Sequence, residues 1–144
     1  MGSWILSVAI VMAGLAGVGW LAQWGRRRSR AAAVATDAPS LREAVDVSVR
    51  LVVDHNAPGG LRAGMNYRSE GHLRLLDGRL LLATNHGRVL DMTAIERGQV
   101  RAPGPRMMIL EGDHPSGRAR VRAELVIDDE GEWVNAITTQ LSAG

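Results

Sequence analysis

At 144 residues and a formal net charge of +2, the chain has room for one small domain and a short additional element. It holds no Cys, which excludes disulfides, thiol catalysis and thiolate metal sites, and no Lys, so all 17 basic residues are Arg. Four of these crowd positions 26–30. The other 13 face 15 acids, so the remainder carries about −2 and is not a generally basic, nucleic-acid-binding surface.

The first element in chain order is the uncharged run Trp4–Trp24, in which only Ser7 and Gln23 are clearly polar. As a helix it would be about 31 Å long, close to the thickness of a bilayer's hydrocarbon core. Residues 1–25 therefore read as a single transmembrane anchor. A cleaved signal peptide is the weaker reading, because Met1, Gly2 and Ser3 bring no side-chain charge and the arginines follow the apolar run instead of preceding it. By the positive-inside rule Arg26, Arg27, Arg28 and Arg30 face the cytoplasm, which makes this a single-pass membrane protein with its C-terminal domain cytoplasmic. Trp4 marks one membrane interface, and Trp20 and Trp24 mark the other. Ala9, Ala13 and Gly17 recur every four residues. Such a stripe of small residues is either a seat for a membrane-protein partner's helix or the chance outcome of an Ala- and Gly-rich segment. The arginines act as a stop-transfer signal, and the same charges attract anionic lipid from the bilayer at about 1 kcal/mol per residue.

Residues 26–43 follow as a basic juxtamembrane segment and Ala-rich linker, with residues 44–144 as the domain behind it. Ser40 and Glu43 have capping-box spacing, but Val45, Val47, Val49, Leu51 and Val53 alternate with Asp46, Ser48 and Arg50 and predict a strand. Asn56-Ala57-Pro58-Gly59-Gly60 is a turn, and Ala63, Met65 and Tyr67 predict a second strand. His72–Leu76 and Arg79–Ala83 flank Asp77-Gly78, the hairpin dipeptide of a type I′ turn. Further strands are predicted at Arg88–Met92, Gln99–Arg101, Arg106–Leu110 and Arg118–Ile127. The period then changes: Asp128, Asp129 and Glu130 favour a helix start, Asp129 and Glu132 have the spacing of a variant capping box, and Trp133, Ile137 and Leu141 recur every four residues. The fold class is thus one N-terminal transmembrane helix plus a mainly-β domain, a small antiparallel barrel of about seven strands capped by a C-terminal amphipathic helix.

Three segments carry a resemblance. Gly71–Leu80 resembles a strand turning into a second strand that opens on an Arg-Leu pair; Gly87–Ile95 resembles the strand after it; Glu132–Ile137 resembles a closing helix with a plugging Trp. Together, over roughly residues 44–142, they resemble the pleckstrin-homology-like superfamily and its GRAM branch. The resemblance implies a PH-like barrel with Trp133 buried at its open end. Phosphoinositide-binding members carry several basic residues around the first hairpin loop. Here that loop, Asp54–Gly60, has only Arg62 just beyond it, so a headgroup site does not carry over.

No catalytic constellation is legible. His55, His72, His86 and His114 are isolated, without paired metal-ligand spacing, and no nucleophile motif or phosphate-binding loop is present. No catalytic, cofactor-binding or metal residues are assigned. Arg118, Arg120 and Arg122 alternate along one strand and line one sheet face, either as an anion-binding row or paired with cross-strand acids such as Glu111. The function expected is a membrane-tethered, non-catalytic adaptor that presents the domain to a protein partner or an anionic lipid. The alternative is an enzyme, or an accessory subunit of a membrane-associated process, with an unrecognised site.

Overall fold

Because Val47, Val49, Leu51 and Val53 alternate with polar residues, β1 (Arg42–Val53) buries one face, and it is the central strand of the sheet in this computed structural model. The structure describes residues 2–142, with side chains from residue 9 onward. After β1 come β2 (Asn66–Leu76), β3 (Arg79–Thr84), β4 (Gly87–Met92), β5 (Val100–Gly104), β6 (Met107–Asp113) and β7 (Arg120–Val126). All pairings are antiparallel, in the order β4-β3-β2-β1-β7-β6-β5. Helix α1 (Gly2–Ala33) precedes the sheet and α2 (Glu130–Leu141) follows it.

The curled sheet encloses one core of Val, Leu, Ile and Met side chains, to which α2 adds Trp133, Ile137 and Leu141. Trp133 is 3% exposed, and the Arg42 guanidinium lies 5.0 Å from its ring centroid. A smaller second core lies on the opposite face, where Val34 packs on Leu76, Leu81 and Ala83. That explains why Leu80–Ala83 is a continuous apolar run: Leu80 and Leu82 face the main core, Leu81 and Ala83 the second. Gly71 is required by packing, since a Cβ there would stand 2.5 Å from Val49 Cγ2.

The structure corrects the expected fold class on two points. First, among the described residues no helix is long and apolar enough to cross a membrane. The described side chains of α1 are uncharged only from Ala9 to Gly25, with Gly14, Gly17, Gly19 and Gln23 among them, and the helix then continues without a break through four arginines to Ala33. Trp4, the expected outer interface residue, lies outside the described side chains. Second, β4 and β5 are both edges, so the sheet is a half-barrel and not a closed barrel.

Local chemistry also departs from expectation. In the Asp77-Gly78 hairpin only Gly78 takes positive φ (69°), so the turn is not type I′. Asp129 makes no side-chain cap bond, and Glu132 pairs with Arg42 at 3.1 Å in place of a capping box. The Ser40–Glu43 box gives way to β1, because Leu41 N–H already donates to Leu75 O at 2.8 Å.

Trp133→Ala is expected to destabilise the domain by about 3–5 kcal/mol in denaturant unfolding, the usual cost of truncating a buried large aromatic. A loss below about 1 kcal/mol would remove Trp133 from the core.

Candidate functional site

The junction between α1 and the outer face of the sheet is the most elaborate polar structure in the molecule, and it begins with a kink in β1. The register of β1 on β2 shifts between Ala44 and Val47, and Asp46 within that bulge takes φ 57°. A bulge re-aims a side chain, and here it turns the Asp46 carboxylate toward α1. Arg30, only 2% exposed, donates to Asp46 Oδ1 (2.9 Å), Glu70 Oε2 (3.1 Å) and Asn85 Oδ1 (2.7 Å). Arg27 meets the other Asp46 oxygen at 3.0 Å.

The end of α1 is held by two more arginines. Arg88 Nε donates to Ala33 O at 2.7 Å, and Arg74 donates to Val34 O (2.7 Å), Ala38 O (3.2 Å) and Ser40 Oγ (2.7 Å). These guanidinium groups satisfy carbonyls that a helix C-terminus leaves open and suit the negative end of its dipole. Arg88 is in turn oriented by Asp91 (3.3 Å), which Arg79 grips bidentately at 2.7 and 2.8 Å. The Arg79 guanidinium, and secondarily Arg88, hold the Asp91 carboxyl below the usual carboxylate range. The expected linker is therefore helical to Ala33 and pinned to the sheet beyond it.

Beside this clamp lies a cleft of about 500 Å³. Gly19, Gln23, Arg26 and Arg30 form its helical wall, spaced so that they share one face of α1. Ser48, Arg68 and Glu70 form its sheet wall. Arg68 stands directly across from Arg50 in the β1–β2 register, and Arg50 pairs with Glu124 at 2.9 Å. Among the described residues, neither Arg26 nor Arg68 has a carboxylate within ion-pair distance.

The other expected site residues are dispersed. Trp20 and Trp24 are exposed on α1, and Arg28 lies 5.3 Å over the Trp24 ring. Ala9, Ala13 and Gly17 are exposed. Arg122 approaches Glu124 (3.3 Å) and Glu111 (3.9 Å), Arg120 reaches Asp54 through its main-chain N–H (2.7 Å), and Arg118 lies in the turn before β7. The three therefore do not form one row on a strand.

The histidines are separately engaged. His72 Nε2 bonds Glu43, His55 Nδ1 lies 3.1 Å from Asp54, and His86 Nδ1–H donates to Gly59 O at 2.8 Å. His114 Nδ1 accepts from the Ser116 hydroxyl (2.9 Å) and from the Ser116 N–H (3.1 Å), and burial lowers its pKa. Its buried Nε2 has no partner, so no carboxylate completes a triad with Ser116. No group of three potential metal ligands converges among the described residues.

Asp46, Glu70, Asn85, Arg68, Arg74 and Arg88 were not singled out from the sequence. They come from separate strands and a turn, and only the outward alternation of Arg68 and Arg74 with inward residues hinted at a shared face. Comparison with known proteins returns no match: no family model, curated protein or solved structure is similar to the chain.

Arg30→Met is expected to free the end of α1 at a cost of about 2–3 kcal/mol. That is somewhat below the usual loss on breaking a fully buried pair, because Asp46 and Glu70 keep some solvent contact. Hydrogen exchange should accelerate over residues 26–34 while β1 and β7 stay protected; unchanged exchange there would exclude the clamp. Asp91 gives the junction an acid limit. With its native pKa depressed, its contribution is fully present above about pH 4 and is lost as pH falls through the lower native value. Asp91→Asn should lower stability at neutral pH and flatten the acid limb of the stability curve, and an unchanged acid limb would contradict this.

Proposed function

We propose that this chain is a non-catalytic binding module held at a membrane surface by α1, which presents its β domain to an anionic lipid or a protein partner. One observation carries the reading. Ile10, Val11, Met12, Leu15, Val18, Trp20, Leu21 and Trp24 are 51–67% exposed on a helix whose end is clamped to the domain. An apolar surface of that extent marks a contact with lipid or another apolar body. Arg26 and Arg28 at its base favour lipid, since exposed arginines suit an anionic membrane surface. The resemblance to pleckstrin-homology-like domains belongs to this proposal, supported by seven antiparallel strands followed by a Trp-bearing helix.

Flotation of the full chain with neutral phosphatidylcholine vesicles tests the reading. The native chain should float with the vesicles. Leu15→Asp combined with Val18→Asp should leave most of it in the aqueous fraction with an unchanged β-sheet circular dichroism signal. A native chain that stays behind would overturn the proposal.

A further inference from the structure

We propose that the cleft between α1 and the sheet holds the phosphate headgroup of an anionic phospholipid, gripped between Arg26 and Arg68. This rests on the reading that α1 sits in lipid, and it names what the domain would recognise there.

Charge is the first argument. The junction brings Arg26, Arg27, Arg30 and Arg68 near two carboxylates, Asp46 and Glu70. Both carboxylates are neutralised by Arg30, and Asp46 also by Arg27. The Glu70 on the cleft wall therefore repels an incoming anion little, while two guanidinium groups at the cleft remain without a counter-charge. Arg68 is the more telling of the two. It lies directly opposite Arg50, and like charges so placed on a sheet destabilise it. Glu124 serves Arg50 and leaves Arg68 uncompensated. An anion between Arg26 and Arg68 supplies the missing charge, and guanidinium forks match phosphate oxygens bidentately.

Shape is the second argument. The cleft volume of about 500 Å³ admits a headgroup, and the Ser48 hydroxyl and Gln23 amide on its walls offer further hydrogen bonds. Gly19 leaves the α1 backbone bare at one end, with no atom near the position of a Cβ. Beyond it the exposed Leu15 and Val18 continue along the helix, where an acyl chain can lie while the headgroup stays in the cleft. A free phosphate has nothing to place there, so the site commits to a lipid.

The test uses the full chain in neutral detergent micelles, titrated calorimetrically with short-chain phosphatidic acid, short-chain phosphatidylcholine and inorganic phosphate. Phosphatidic acid should bind saturably, phosphatidylcholine should not, and inorganic phosphate should bind far more weakly. Arg26→Gln with Arg68→Gln should weaken phosphatidic acid binding by about tenfold or more, the effect of losing charged hydrogen bonds. Arg118→Gln with Arg120→Gln should leave it unchanged. Absence of saturable phosphatidic acid binding, or an equal loss in both double variants, overturns the cleft assignment. Inorganic phosphate binding as tightly as phosphatidic acid overturns the lipid assignment. Flotation with neutral vesicles separates the two proposals: the Arg26/Arg68 variant should still float, whereas a native chain that does not float fails the membrane reading itself.

Discussion

The arrangement of this molecule depends on one buried guanidinium. Arg30 is the only strongly buried charge among the described residues, and its three acceptors come from β1, β2 and the β3–β4 turn. A buried ion pair adds little net stability over an apolar substitute, because desolvation offsets most of the Coulombic gain. Its effect here is geometric. Three acceptors in fixed positions accept one orientation of the helix and reject others. The bulge at Asp46 is part of the same device, since a non-glycine residue in the left-handed region costs about 1–3 kcal/mol and persists only where its surroundings over-determine it.

The rest of the junction follows from that anchor. Once Arg30 is seated, Val34 reaches the outer faces of Leu81 and Ala83, and the last carbonyls of α1 fall to Arg74 and Arg88. Asp91 then aligns Arg88. Guanidinium chemistry recurs because one planar fork can hold several oxygens at once, which an ammonium group cannot do in the same geometry. A chain with Arg in every basic position is suited to such clamps.

The same clamp sorts the arginines by role. Arg27, Arg30, Arg74, Arg79 and Arg88 are engaged within the fold, while Arg26 and Arg68 remain at the mouth of the cleft. A rigid joint also means that whatever holds the apolar part of α1 sets the orientation of the sheet. At the far side, α2 lies against β5, β3 and β6, and Ile95 N–H donates to Leu141 O at 3.2 Å, so the open half-barrel is closed by helix and loop where strand pairing stops.

How much of this was legible depended on whether the cause was local. Alternation along residues 47–53 and 119–127 marked β1 and β7, and the four-residue recurrence of Trp133, Ile137 and Leu141 marked α2, because a solvent-facing and a core-facing side repeat with the period of the backbone. The apolar N-terminal run is plain in the sequence and its hydropathy suggests a crossing of the membrane, yet among the described residues no helix is long and apolar enough to cross one, and α1 continues to Ala33. The arginines at 26–30 looked like one cluster with one role. Helical geometry placed Arg30 inward and Arg28 outward, and the sheet's register put Asp46 and Glu70 beneath the first of them. The sequence by itself determined β1, β7 and the amphipathic C-terminal helix, since these follow from neighbours a few residues apart; it divided β2 into two strands around residues 63–67 and 72–76, where the structure runs one strand from Asn66 to Leu76 after a turn at Ala63. Only the tertiary structure decided which charges are neutralised and which are left over, because pairing Arg30 depends on carboxylates 16 and 40 positions away being brought within about 3 Å.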